Sequence, residues 1–174
     1  MNLIYFFLFY YFHLYLLIMI YKEINQALNN ETFSNRLIGL DLGTKTIGVS
    51  MSDSSRIIAS TFETIKRKKT KLDIERIMEI CDEFKISGIV LGYPINMNFT
   101  EGPRSQSTMS FAKLLELRTN IPIILWDERL STSAAEKVLI SADLSRKKRK
   151  DVIDKLAATY ILQGILDRIS NIKK

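Results

Sequence analysis

Residues 36–53 constrain the fold of this chain most strongly, because they set an acidic residue inside a hydrophobic strand. Their sequence, RLIGLDLGTKTIGVSMSD, predicts a strand, a turn that Gly43 allows, and a second strand with alternating apolar residues. Asp41 lies within the first strand. A carboxylate in a core strand is costly unless it is paired, hydrogen-bonded or bound to a cation. Asp41 therefore requires a partner or a function that the rest of the chain must explain.

Composition narrows the chemistry available to this chain. It has 174 residues, a net charge of +6, one cysteine and one histidine. The length fits one domain, and the positive charge favours an anionic partner, of which nucleic acid is the commonest large one. A single cysteine, Cys81, cannot form a disulfide within the chain, which favours a reducing compartment and predicts a cytoplasmic protein. Because His13 lies in an apolar leader, the remaining chain lacks histidine, which argues against Ser-His-Asp and Cys-His catalysis and the usual zinc sites.

The chain divides into three predicted segments. Residues 1–21 are an apolar leader, residues 22–35 a polar connection, and residues 36–174 the folded domain. The leader is long enough for a membrane-spanning helix, and it fits a signal peptide poorly because no Lys or Arg precedes the apolar run. An alternative is that the protein starts at Met19 and that the leader is not part of it.

Periodicity predicts an α/β fold. Beyond the two opening strands, we predict strands over residues 56–65, 86–91 and 121–126, and helices over residues 70–84 and 105–117, after residue 131, and from near Asp151. The first three strands form an antiparallel meander, and the two later strands run parallel to a neighbour through right-handed crossovers. The result is a mixed five-stranded sheet flanked by helices.

Acidic residues lie where predicted elements end: Asp41, the pair Asp127 and Glu128, and Asp154. Sites gather at the carboxyl ends of parallel strands, and converging carboxylates repel one another unless a cation is bound. Mg²⁺ and Mn²⁺ prefer oxygen ligands, and such ions activate water and stabilise the leaving oxygen of a phosphodiester. Each residue also has a structural interpretation: Asp41 can cap the following turn, Asp127 can pair with Arg129, and Asp154 can favour the helix dipole.

Two basic runs support a nucleic-acid partner. Residues 66–71 (KRKKTK) and 146–150 (RKKRK) would contact phosphates without reading sequence, or are solvated loops. Thr100, Arg104 and Ser105 can hold phosphate or substrate, or serve as ordinary turn residues.

Four segments resemble, in order and spacing, the motif blocks of the YqgF/RuvX family: GLDLGTKTIGVSMSD, IVLGYPINMNFTEGPRS, WDERLSTSAAEKVL and IDKLAATYILQGILD. The resemblance spans residues 36–169. It implies a ribonuclease H-like fold, which the element order permits without selecting. It further implies a nuclease, dependent on Mg²⁺ or Mn²⁺, that processes the precursor of small-subunit ribosomal RNA and acts in ribosome biogenesis on a pre-ribosomal particle.

The resemblance also implies the site residues. Asp41, Glu128 and Asp154 match the acidic positions of the family and are the predicted catalytic and metal-binding carboxylates. Alternation puts Asp127 and Glu128 on opposite faces of an extended strand, so only one should reach the metal, and we choose Glu128. The predicted substrate-binding cations are Lys45, Arg104 and Arg129.

This chain departs from the family pattern at three places. Asn98 and Phe99 stand where the family has Asp-Gly, and Thr46 replaces a common basic residue, which should weaken a phosphate contact. The family does not usually carry an apolar leader, which favours a start at Met19.

Three other functions compete with this hypothesis. The first is cleavage of four-way DNA junctions, because a carboxylate-metal site does not distinguish DNA from RNA. The second is a nucleic-acid-binding module without turnover, against which the retained acids argue. The third is an ATP-binding kinase, suggested by DLGT, which would need a second lobe that this length does not provide.

Overall fold

The computed structural model of the protein describes residues 20–22, 24–28, 33–98, 100–127 and 146–172. Its elements, in chain order, are β1 (Ile20–Tyr21), α1 (Ile24–Leu28), β2 (Leu37–Leu42), β3 (Thr46–Ser52), β4 (Ala59–Lys66), α2 (Thr70–Glu83), β5 (Gly88–Tyr93), α3 (Pro103–Glu116), β6 (Ile123–Asp127) and α4 (Arg146–Ile172). The predicted helix after residue 131 lies outside the described residues.

The sheet is mixed, with the strand order β1-β6-β5-β2-β3-β4. Strands β2, β3 and β4 form an antiparallel meander, whereas β5 runs parallel to β2 and β6 runs parallel to β5. The predicted five strands and their directions are confirmed. The structure adds β1, in which Ile20 and Tyr21 pair in parallel with β6. Two residues are too few to show a strand period, and the sequence prediction includes Ile20 and Tyr21 in the apolar leader.

Two hydrophobic clusters cover the two faces of the sheet, because side chains alternate along each strand. One cluster joins the sheet to α2 and α3 and includes Leu40, Leu91, Leu125, Ile77, Phe111 and Leu115. The other joins the sheet to α1 and α4 and includes Leu37, Val90, Ile124, Ala27, Leu162 and Ile165. On β2, the even-numbered leucines and isoleucine therefore face α2 and α3, which leaves Gly39 and Asp41 on the face of α4.

The predicted boundaries of β5, α3 and β6 are off by one or two residues, and two others differ by three or more. Strand β4 begins at Ala59 rather than at residue 56, because the Asp53 carboxylate accepts hydrogen bonds from the backbone N–H of Ile57 (2.7 Å) and Ile58 (2.9 Å) and holds a turn there. The last helix begins at Arg146 rather than near Asp151, so the basic run is helical rather than a loop. Arg and Lys are good helix formers, which outweighed their mutual repulsion.

No helix within the described ranges is long and apolar enough to cross a membrane. Residues 1–19 of the predicted leader are not among those ranges.

Candidate active site

Asp41 lies near the carboxyl end of β2 and is half-buried. On one side it pairs with Gly48 of β3. On the other side, the pairing with β5 ends at Leu40 and Leu91, and the next residue of β5 is Gly92. Neither neighbouring strand therefore carries a side chain beside the carboxylate. Glycine within a strand often marks a place where a ligand or another backbone approaches the sheet closely.

The turn after Asp41 depends on Gly43. The Gly43 N–H donates to the main-chain oxygen of Asp41 (3.2 Å), and a Cβ at Gly43 would lie 2.8 Å from the carbonyl oxygen of Thr46. Glycine is needed here for close approach of the backbone, since no glycine in the described chain has a positive φ. The predicted strand-turn-strand unit is confirmed, with a different reason for its glycine.

Helix α4 packs tightly on the face of β2 that carries Asp41. A Cβ at Gly39 would lie 2.7 Å from the Leu162 Cβ and 2.9 Å from the carbonyl oxygen of Ala158. The Ser50 hydroxyl of β3 donates to the same Ala158 oxygen (2.7 Å). Only a glycine at residue 39 lets the helix backbone approach this closely.

This packing sets the level of Asp154 relative to Asp41. Gln163 Oε1 accepts from the backbone N–H of Ala59, which pairs with Ser52 at the level of Leu37, whereas Ala158 contacts Gly39. Residue numbers along α4 therefore fall as those along β2 rise. The two residues from Gly39 to Asp41 span about 6.7 Å of strand, which equals four to five residues of helix. Asp154 lies one helical turn before Ala158, so its backbone is level with Asp41. The side chain of Asp154 lies outside the described residues.

Strand β6 presents its last two residues to opposite faces. Trp126 packs with the α4 cluster, and its ring lies 3.0 Å from a Cβ built at Gly164. Asp127 pairs with Tyr93, whose side chain belongs to the cluster on the α2 and α3 face. Asp127 is therefore on the face opposite to Asp41. Glu128 and Arg129 follow it directly and lie outside the described residues.

No group of three potential metal ligands occurs within the described part of the chain. Of the predicted set of three, only Asp41 has a described side chain.

The predicted cations that the structure describes lie at the edge where β2 ends. Lys45 is exposed in the turn after β2, and Arg104 is exposed in the first turn of α3. Arg104 follows the loop that leaves the carboxyl end of β5, so both residues flank the end of the sheet that carries Asp41.

Thr100 and Ser105 act within the loop before α3. The Ser105 hydroxyl donates to the carbonyl oxygen of Pro94. The Thr100 hydroxyl donates to Asn98 Oδ1 (2.6 Å) and accepts from the Asn96 amide (3.0 Å). These contacts support the predicted role of Thr100 and Ser105 as turn residues over a role in holding phosphate. Asn98, a departure from the family pattern, helps close this loop.

Sequence reasoning missed a cluster on the opposite face of the same edge. Burial, and then the neighbouring Glu101 carboxylate, raise the pKa of the buried Tyr93 hydroxyl to about 12. The ammonium of Lys22 donates to Glu101 (2.9 Å), which lowers the pKa of that carboxyl, and Tyr93 lowers it further. No periodic signal links residues so distant in sequence.

A second missed pair fixes the basic run after β4. Asp73 is only 2% exposed, and its Oδ1 accepts from the backbone N–H of Lys68 (3.1 Å). The Arg67 Nε lies 3.5 Å from the Asp73 Oδ2, while the Arg67 Nη1 donates to the carbonyl oxygen of Gly43 (2.8 Å). The signal available in sequence was an acid in the first turn of a helix that follows several cations.

Comparisons with known proteins agree on the family. The profile of the RuvX family, described as Holliday junction resolvase, matches residues 35–168. A protein of Bradyrhizobium sp. (strain ORS 278) named "Putative pre-16S rRNA nuclease" is 56% identical over 138 residues, which are 79% of this chain and 86% of that relative. A protein of the same name from Clostridium kluyveri (strain NBRC 12016) is 55% identical over 135 residues, covering 78% of this chain and 98% of the relative.

Among solved structures, RuvC of T. thermophilus in complex with a Holliday junction substrate matches with a TM-score of 0.53. The match is 12% identical in sequence and covers 78% of this chain and 96% of that one. The likeness concerns the fold, and the expected ribonuclease H-like arrangement is confirmed.

Proposed function

This chain belongs to the RuvX family, and on that premise we propose that it is an endonuclease that hydrolyses phosphodiester bonds in the precursor of 16S ribosomal RNA. The observation that carries the proposal is the position of Asp41 at the carboxyl edge of the sheet, between Gly48 and Gly92 and level with the backbone of Asp154. Glycines on the two strands beside a core carboxylate let a ligand approach it closely, which supports a ligand-binding role for Asp41 over a purely structural cap.

We assign the metal-binding and catalytic roles to Asp41, Glu128 and Asp154. The register of β6 supports Glu128 over Asp127, because Asp127 shares a face with Tyr93 while Trp126 shares the face of Asp41. Continued alternation would return Glu128 to the face of Asp41.

The residues fit Mg²⁺ or Mn²⁺. Carboxylate oxygens are the preferred ligands of both ions, and no histidine or cysteine lies next to Asp41 in the sheet register. A bound ion of this kind supplies activation of water and stabilisation of charge on the leaving oxygen. The chain contributes the arrangement: β2 holds Asp41 rigidly, and the packing of α4 on Gly39 fixes the approach of the helical turn that contains Asp154.

Cations around the site would bind the substrate. Lys45 and Arg104 are exposed at the edge where β2 and β5 end, which suits contact with phosphates on either side of the cleaved bond. Arg129 would stabilise charge on the reacting phosphate.

A second candidate function is cleavage of four-way DNA junctions, which the description of the family profile favours. Carboxylates and a divalent ion do not distinguish RNA from DNA, so the same three acids would serve.

Three further features of the proposal concern the protein in the cell. We propose cytoplasmic action on a pre-ribosomal particle, which agrees with the single, buried and unpaired thiol of Cys81. We further propose that residues 36–174 hold the whole nuclease function.

The test is cleavage of a labelled precursor of 16S ribosomal RNA, with a DNA four-way junction assayed in parallel. Cleavage that requires Mg²⁺ or Mn²⁺ and is lost in Asp41→Asn is expected. The exposed Asp82 of α2 offers a matched control, since Asp82→Asn removes the same charge away from the site and should leave cleavage intact. Tight RNA binding without cleavage under any metal would replace the nuclease with a binding module. Cleavage of the junction alone would select the second candidate.

A further inference from the structure

The basic run after β4 is held in a fixed position beside the candidate site. The Arg67 guanidinium bridges the Gly43 carbonyl oxygen and the Asp73 carboxylate, and the Arg67 backbone N–H donates to the carbonyl oxygen of Lys45 (3.0 Å). Lys66 pairs with Thr46 in the ladder between β3 and β4. The run is thus tied by main-chain and side-chain bonds to the turn that directly follows Asp41.

Burying a charge to fix a surface loop has a cost. The Asp73 side chain is 3% exposed and that of Arg67 is 23% exposed, so both ions lose much of their hydration. A basic loop that served only for solubility would need no such anchor. The pair therefore has a use in holding the neighbouring cations in one geometry.

Four ammonium groups remain exposed around this anchor, and we call them the lysine surface: Lys45, Lys66, Lys68 and Lys69. None of the four forms an ion pair with another residue that the structure describes. The other two cations of the run each have a carboxylate nearby, because Arg67 faces Asp73 and Lys71 lies 3.9 Å from Glu75. Four like charges close together repel one another, and a polyanion bound across them would remove that repulsion.

The register gives the distance from this surface to Asp41. Asp41 pairs with Gly48, Gly48 pairs with Thr64, and Lys66 lies two residues further along β4. Two strand spacings sideways and two residues along the strand amount to about 12 Å between the Cα atoms of Asp41 and Lys66. At about 3.4 Å per nucleotide, the axial rise of one strand in a DNA duplex, this separation corresponds to three or four nucleotides of a base-paired strand.

We propose that the lysine surface binds the phosphate backbone of the RNA substrate three or four nucleotides from the cleaved bond, and that Arg67 is its positioning residue. The inference rests on the proposed nuclease function and adds to it the direction in which the substrate leaves the site, across β3 and β4. Contact is with phosphates alone, so the surface contributes affinity without sequence preference.

The experiment measures the salt dependence of RNA binding by the full-length protein carrying Asp41→Asn, so that cleavage does not interfere. The probe is a labelled RNA hairpin cut from the 16S precursor, titrated between about 50 and 200 mM salt. Two double variants are compared. One carries Lys68→Gln and Lys69→Gln, and the control carries Lys85→Gln and Lys113→Gln, which removes the same charge. Lys85 precedes β5 and Lys113 lies in the last turn of α3, both toward the opposite edge of the sheet.

Each lost phosphate contact reduces the steepness of log affinity against log salt by about 0.7 to 0.9. We therefore expect the slope to become less steep by about 1.5 in the Lys68/Lys69 variant and by about 3 in a variant that lacks all four ammonium groups. The Lys85/Lys113 control should keep the slope of the parent protein. All substituted lysines are exposed, and unfolding curves check that each variant folds. Equal slopes in the two double variants would overturn the lysine surface. That outcome is distinct from failure of the proposed function, which would appear as absent cleavage by the wild-type protein.

Discussion

Substitution of Gly39 by alanine tests how the site is assembled. The added methyl group would lie 2.7 Å from the Leu162 Cβ and 2.9 Å from the Ala158 carbonyl oxygen, and closer still to the Ser50 hydroxyl. The first two atoms belong to the framework of α4 and cannot rotate away. Overpacking of a core costs about 1 to 3 kcal/mol, and loss of the hydrogen bond from Ser50 to Ala158 adds about 1 kcal/mol. We expect a destabilisation of about 2 to 4 kcal/mol.

Urea unfolding of Gly39→Ala, Ser50→Ala and the double variant measures this cost. In thermal unfolding of the same variants, the expected loss lowers Tm by about 5 to 15 °C for a chain of this size. Ser50→Ala alone should cost about 1 kcal/mol, because it removes a hydrogen bond without adding an atom. The double variant should recover only part of the loss, since the contacts with Leu162 and Ala158 remain. Gly39→Ala with the unfolding midpoint of the wild type would refute the tight packing of α4 on β2.

The same variant separates stability from catalysis. If α4 moves outward to relieve the clash, the helical turn that contains Asp154 moves with it, and under the proposed function this separates Asp154 from Asp41. A misplacement of about 1 Å can cost about 100-fold in rate. Cleavage measured well below Tm should therefore fall by much more than the folded fraction does. Full activity in a folded Gly39→Ala protein would show that the approach of α4 does not set the site geometry.

Three further perturbations test the charges of the fold. Arg67→Met should destabilise the protein by about 2 to 4 kcal/mol in urea unfolding, because it leaves the buried Asp73 carboxylate with the hydrogen bond from Lys68 and no cation. The cost is below that of a fully buried pair because Arg67 is partly exposed. A change below about 0.5 kcal/mol would contradict this prediction. Burial raises the pKa of the Cys81 thiol from 9.0 to about 12. Between about pH 9 and 12 the unfolded chain loses a proton that the folded chain keeps, so the free energy of unfolding should fall as pH rises through this range. Cys81→Ala should flatten that decline. Hydrogen bonds from the backbone N–H groups of Ile58 and Ile57 lower the pKa of Asp53. The stability that the Asp53 carboxylate contributes is therefore present above its ordinary pKa of 3.8 and is lost as pH falls through the lowered pKa. Asp53→Asn should lower Tm at neutral pH, and the difference from the wild type should shrink in acid.

Local patterns in the sequence were enough to predict the centre of the sheet. The alternation of Ile38, Leu40 and Leu42 marked one buried face, and the acid between them marked Asp41 as unusual. The alternation argument that preferred Glu128 over Asp127 rested on strand geometry, and the register of β6 gives Asp127 the opposite face from Asp41. The prediction of the strands was confirmed because a strand imposes its period on neighbours in the sequence, while the choice of Glu128 stays a prediction.

Features that depend on distant parts of the chain could not be read in this way. The contact of Gly39 with Ala158 and Leu162 joins residues far apart in sequence, so nothing near Gly39 signals how close the helix comes. The pair of Arg67 and Asp73 is close in sequence, yet a run of cations hides which one is anchored and which are exposed. Strand β1 pairs with an edge of β6 that is about 100 residues away in sequence, and nothing near Ile20 indicates this pairing.

The order of the elements along the chain also governs when the site can exist. Asp41 leaves the ribosome early, whereas α4, which packs across β2, β3 and β4, is the last element synthesised. About 120 residues separate Asp41 from the helical turn that covers it, which corresponds to roughly 6 to 24 seconds of translation at about 5 to 20 residues per second. During that interval β2 has no α4 to pack against. The face of β2 that carries Asp41 therefore stays uncovered until the residues of α4 have been synthesised.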